Sequence, residues 1–171
     1  MNFMELAKKR FAVRQFSDEK VSEDLLKEIL EAGMVAPTAK NNQSQRVYVL
    51  QSEEAIATLD QQTKCRYGAP TVLLVTYEES ETWKNPLQEG IHSGVEDASI
   101  VATHMMLRAA ELGVDSIWVN FFANTELERA FGLPESEHAV LLMPLGYRKE
   151  NVKPLPTHEA SKPMEEIVKY L

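Results

Sequence analysis

Cysteine is nearly missing from this chain: its 171 residues hold one, Cys65. No intrachain disulfide can form, and a reducing cytoplasm is the expected location. No apolar run approaches the ~20 residues that a membrane-spanning helix needs. The opening MNFMELAKKR has no apolar stretch after its basic residues and does not read as a secretory signal. Positive charge is scarce too, with 18 Lys and Arg against 26 Asp and Glu and a formal net charge of -8. The average field of such a surface repels nucleic acid. It leaves room for a local anion site, which makes the placement of the few arginines informative. Three phosphate and nucleophile signatures are absent: G-x-G-x-x-G, the Walker A loop and the G-x-S-x-G elbow. His92, His104, His138 and His158 are scattered without metal-ligand spacing, so no metal is expected. Cys65 follows Lys64 and precedes Arg66 with no evident base partner, and it is read as inert.

What remains is an ordinary globular composition, 44% apolar and 26% charged, enough for one domain over residues 1–171 with one core. Phe3, Leu6 and Ala7 suggest a short helix over 3–10. Ser22 reads as the N-cap of a second helix, with Glu23 and Asp24 in the first turn and a stripe of Leu25, Leu26, Ile29 and Leu30. That helix should end before Pro37. Strands are expected at 47–50, at the nearly all-apolar Thr71–Tyr77, at Val114–Asn120 and at His138–Gly146. Pro144 argues for an edge or a bulge near the end of the last one. Ser52 should cap a short helix over 53–60, and Asn124 another that ends at Gly132. A long apolar helix is expected from about Leu87 to Leu112, with Gly113 as its stop. The order predicts an α+β or α/β layered domain around four to five strands. The tail, 148–171, carries Pro154, Pro156 and Pro163 and has little structure of its own before 164. Such a stretch needs a surface to lie on, and a partner subunit supplies one.

Three segments carry candidate chemistry. Arg10 and Arg14 are four residues apart; guanidinium groups bind phosphate through paired hydrogen bonds and stay charged. The plain alternative is two solvated arginines, or ion pairs with the many acids. Ala36–Gln43 (APTAKNNQ) is a loop of small residues and amides that could meet the edge of a flat heterocycle, or an ordinary polar loop. Gly146-Tyr147-Arg148 ends an apolar strand; the glycine admits a ligand and Arg148 adds positive charge, unless this is a simple strand-ending turn.

Together these segments resemble the FMN-dependent nitroreductase family over nearly the whole chain. In KKRFAVRQF, Arg10, Val13, Arg14 and Phe16 match the family's basic phosphate motif, with Phe11 in place of a basic residue and Ala12 in place of serine. In APTAKNNQ, Pro37, Thr38, Asn41 and Gln43 match its Ala-Pro-Ser-x-x-Asn-x-Gln loop. Ser44 and Gln45 stand where proline and tryptophan usually follow. The long helix, DSIWVNFF and LGYR fall in the family's order.

The resemblance implies a nitroreductase-like α+β fold, a central mixed β-sheet flanked by helices, with the tail extended onto the partner of a homodimer. It implies FMN, its phosphate held by Arg10, Arg14 and Arg148 beside Gly146. Phe11 and Ala12 would lend backbone near the phosphate and ribityl chain. Pro37, Thr38, Ala39 and Asn41 would reach the same flavin from the other subunit. Val119, Asn120 and Phe121 would lie along the ring with backbone near its N5 and O4 edge. NAD(P)H would give hydride to N5 and leave before a nitroaromatic, quinone or similar acceptor enters, a ping-pong cycle. Solvent can supply the protons, so no catalytic side chain is expected. An FMN-binding redox sensor or storage protein without significant turnover is the alternative. A flavin-dependent dehalogenase or flavin-fragmenting enzyme is a third reading, and those usually need extra lid elements.

Overall fold

Asn2 opens the first helix by a reciprocal capping box: its side chain accepts from Glu5 N and its own N–H donates to the Glu5 carboxylate. The structure is a computed structural model and describes residues 2–171. Helix α1 spans Phe3–Lys9, and α2 spans Glu23–Met34 behind its Ser22 cap. Strand β1 covers Gln45–Leu50, α3 Glu53–Gln62 behind a Ser52 cap, and β2 Thr71–Glu78. Then come α4, Gly94–Glu111, the two-residue β3, Asp115–Ser116, and α5, Asn124–Phe131. Strand β4 covers Glu137–Gly146, and a last short turn of helix, α6, Met164–Ile167.

The strands lie in the order β1-β2-β4-β3. All three neighbouring pairs are antiparallel, where a mixed sheet was the expectation; among the described residues, parallel pairing is confined to a single bridge between Ala12 and Ser116. The apolar run 71–77 is central, as its lack of polar alternation requires. Leu73, Val75 and Tyr77 point to one face, packed by α2 and α4; Val72 and Leu74 point to the other, packed by α3, α5 and the segment Phe11–Phe16. Partner residues run Val75 to Leu141 and then Thr76 to Ala139, so Val140 is an extra residue. The bulge puts Val140 and Leu141 against the same core.

Four expectations are corrected. Helix α4 begins at Gly94, seven residues later than its apolar pattern suggested. Residues 84–92 fold back on themselves, with Asn85 N donating to Ile91 O at 2.9 Å and Gly90 at φ 79°. Regular pairing in 114–120 stops at Ser116; Val119 returns for one bridge to Leu142, and apolar packing rather than a ladder explains the pattern there. Asn124 does not cap α5. Ala123 occupies that position and the Asn124 amide donates to Ala139 O at 2.6 Å. Strand β4 is interior rather than an edge, and its bulge lies at Val140, not near Pro144. The proline is tolerated because its carbonyl accepts from Ile117 N, so its nitrogen faces the side where β3 has already ended.

Candidate functional site

The chain leaves α1 in extended geometry at Arg10 and runs beside the sheet edge. Ala12 bridges Ser116, Val13 N donates to Ser116 O at 3.2 Å, Phe16 bridges Arg148, and Ser17 N donates to Tyr147 O at 2.8 Å. These bonds bring the first and last sequence candidates together. Arg10 and Arg148 line one recess with Lys9, Phe11, Asp115 and Ser116. The Arg148 guanidinium sits over the Phe11 ring, 5.0 Å from its centroid. Its Nε lies 3.5 Å from Asp115 Oδ2, the oxygen that also accepts from its backbone N–H. Among the described residues no acceptor engages its terminal nitrogens or any nitrogen of the Arg10 side chain.

The other arginines sharpen this contrast. Arg46, Arg66, Arg108, Arg129 and Arg148 each lie within ion-pairing distance of a carboxylate. Among the described residues Arg10 and Arg14 do not, although the acids outnumber the bases. Within the described residues neither of these two forms the ion pair that the alternative requires.

Arg14 does not join the recess. It lines the neighbouring groove with Ala12, Gln15 and the start of the tail, and its Nη1 donates to Ala12 O at 3.2 Å. It also approaches the Tyr67 hydroxyl. Hydrogen bonding to Cys65 and burial push that hydroxyl's pKa up, and Arg14 opposes them. Three guanidinium groups around one point were the expectation; the extended backbone from Arg10 onward carries Arg14 past Ala12 instead.

Gly146 is corrected as well. The space a Cβ would need is filled by protein, 3.2 Å from Phe16 Cδ1 and 3.3 Å from Pro70 Cδ. On that side the glycine lets Phe16 and Pro70 close over the strand and leaves no room for a ligand.

In the segment after β3, Val119 is buried and exchanges both backbone hydrogen bonds with Leu142, so its N–H is spent. The Asn120 side chain accepts from Trp118 Nε1 and donates to Val140 O. Phe121 is 71% exposed and its carbonyl accepts from Thr63 Oγ1 at 2.7 Å. Among the described residues no hydrogen bond engages the Asn120 or Phe121 N–H, which leaves two open donors.

Pro37, Thr38, Ala39 and Asn41 form a tight loop elsewhere. Thr38 Oγ1 accepts from Gln43 N at 3.1 Å, and Ala39 N donates to the Asp97 carboxylate at 2.8 Å. Asp97 is in the first turn of α4, whereas the recess meets the last, at Ala110. The intervening helix rises by about 20 Å at 1.5 Å per residue. One chain therefore keeps its cationic recess and its amide loop far apart.

Lys9, Asp115, Tyr67 and Asp97 were not among the sequence candidates. Asp97 had a readable signal, an acid in the first turn of an apolar helix; the others are defined by contacts between distant segments.

An antiparallel sheet between helical layers, with a cationic recess where the two chain ends meet, defines the class. The model of the Nitroreductase family matches residues 7–67 and 64–147, and the chain belongs to that family. It is 37% identical to a nitroreductase family protein of Clostridium difficile 630, with TM-score 0.92 and coverage of 99% of this chain and 98% of that one. A provisionally named nitroreductase of Exiguobacterium sibiricum 255-15, solved in complex with FMN, shares the fold at 21% identity and TM-score 0.85, over 100% and 98% of the two chains. A protein of Methanothermobacter thermautotrophicus provisionally named NADH dehydrogenase/NAD(P)H nitroreductase is 27% identical over 160 residues, 88% of this chain and 80% of its own length.

Proposed function

We propose that this chain is an FMN-dependent oxidoreductase that uses NAD(P)H and works as a homodimer. The observation that carries the reading is the Arg10–Arg148 recess, where two guanidinium groups hold unused donors in an otherwise acidic protein. The donor set suits a phosphate dianion: planar forks give charge-assisted bonds, and Lys9 adds a further charge. An incoming phosphate meets the terminal nitrogens of Arg148, while Asp115 and the Phe11 ring fix that side chain from behind.

Arg14 is assigned to the cofactor beyond its phosphate, on the side of Ala12 where its groove runs. Asn120 and Phe121 offer their free N–H groups to the ring edge, and Val119 only packs beneath. Pro37, Thr38, Ala39 and Asn41 serve the flavin of the other subunit, because their own recess lies at the far end of α4. That separation supports a dimer, as do apolar groups left open to solvent, among them Met34 and Val35 at the end of α2 and Met164, Ile167 and Tyr170 in the tail. Extension of the tail over the partner would cover the latter.

Held by these residues, FMN would supply two-electron redox chemistry between NAD(P)H and an acceptor such as a nitroaromatic or quinone. The protein binds, orients and shields; no side chain is assigned a proton transfer. No helix among the described residues is long and apolar enough to cross a membrane.

The test is the visible spectrum of the purified chain, followed by NAD(P)H oxidation with a quinone or nitroaromatic. A yellow protein that turns over is expected. A yellow protein without turnover would favour the sensor or storage role, and a colourless one that takes up no added FMN would refute the reading.

A further inference from the structure

The loop Thr38–Gln43 is strained. Lys40, Asn41 and Gln43 have φ of 53°, 56° and 54°, left-handed geometry that side chains with a Cβ rarely adopt. Three such residues in four positions persist only where surrounding contacts over-determine them. The local contacts are Asn41 N to Thr38 O and Gln43 N to Thr38 Oγ1. Two longer bonds tie the loop to the body: Asn42 Nδ2 donates to Glu81 O, and Ala39 N donates to Asp97 Oδ1.

The second of these is unusual. Asp97 is 2% exposed, and among the described residues no basic group pairs with it. A buried carboxylate is costly unless hydrogen bonds satisfy it. Its Oδ2 accepts from Ser93 Oγ at 2.6 Å, and Oδ1 reaches out of its own helix to the loop at 2.8 Å. An acid that merely complemented the helix N-terminus could have stayed in solvent.

We infer that Asp97 is a positioning residue: its buried carboxylate holds the strained Thr38–Gln43 loop in the shape that meets the cofactor of the partner subunit. This rests on the FMN reading above. A preformed loop loses no ordering entropy on binding, so the tether acts on affinity without touching the ligand.

The experiment compares wild type, Asp97→Ala and Asp97→Asn as full-length protein. Amide hydrogen exchange is followed across the chain without FMN, and FMN affinity and the flavin absorption band are measured by titration. Asp97→Ala should accelerate exchange in 38–43, leave β2 and β4 protected, weaken FMN roughly tenfold as expected for loss of one charged hydrogen bond, and shift the band. Asp97→Asn keeps an oxygen for Ala39 N and should restore most of the affinity and the band. Unchanged loop exchange in Asp97→Ala overturns the tether. Exchange accelerated throughout the sheet, or a loosened loop with unaltered FMN affinity, overturns its role in positioning. A wild-type chain that takes up no FMN overturns the cofactor reading itself, a result distinct from any variant effect.

Discussion

Glu137, buried at the start of β4, shows how much a single side chain is asked to hold. Its carboxylate accepts from Thr76 Oγ1 at 2.5 Å and from the Tyr48 hydroxyl at 2.9 Å, joining β1, β2 and β4. Burial first, and then this bond, push the Tyr48 pKa up from 10.0 to about 12. A value raised by folding means stability that is fully present below pH 10 and lost as pH climbs through about 12. Denaturant titrations of wild type and Tyr48→Phe should therefore differ by a constant margin at lower pH. That margin should shrink between these two values; one that stays constant to pH 12 would contradict the assignment. At neutral pH the variant should lose about 1–3 kcal/mol, because Glu137 keeps its burial and loses a donor. Ser44 is the opposite case. It stands where the family usually has proline, is fully buried, and its Oγ has no partner among the described residues. Ser44→Ala should stabilise the fold by about 1 kcal/mol, seen as a raised thermal midpoint; an unchanged or lowered midpoint would show that the hydroxyl is satisfied.

At the level of elements, the start of α4 is set by one close approach. A Cβ on Gly94 would lie 2.5 Å from Tyr77 Cδ2, and the Tyr77 ring has His92 and His138 against it at 5.5 and 5.3 Å. The ring cannot swing away, so Gly94→Ala should destabilise by about 1–3 kcal/mol in thermal unfolding. An unshifted midpoint would mean that the helix start moves freely. Much at this scale was legible in the sequence: the caps at Ser22 and Ser52, the central apolar strand and the stop at Gly113 are local signals. What was misread depended on tertiary pairing. Apolar residues at 117–119 serve packing as well as they would a ladder, and Leu87–Ile91 continue a helical pattern that a folded-back loop has already claimed. The same divide runs through the site. Arg10, Arg148 and the 37–41 loop stood out by residue type and order. The separation of Arg14 from the recess, the closure of Gly146 and the tether at Asp97 depend on which segments lie side by side.

For the whole molecule, charge and separation argue together. In a chain with net charge -8, Arg10 and Arg14 have no carboxylate partner among the described residues, and the 38–43 loop sits at the opposite end of an 18-residue helix from the Arg10–Arg148 recess. On the proposed reading, one copy would hold one half of each of two sites. Light scattering should give a dimer mass, and a monomer that still retains FMN would contradict the shared site. The central claim, that Arg10 and Arg148 form a phosphate seat, is tested most directly by titrating wild type and Arg10→Ala with FMN and with riboflavin, which lacks the phosphate. The account predicts a loss of about 1.5–3 kcal/mol for FMN and almost none for riboflavin; equal affinity of the two proteins for FMN, or an equal loss for both ligands, would contradict it.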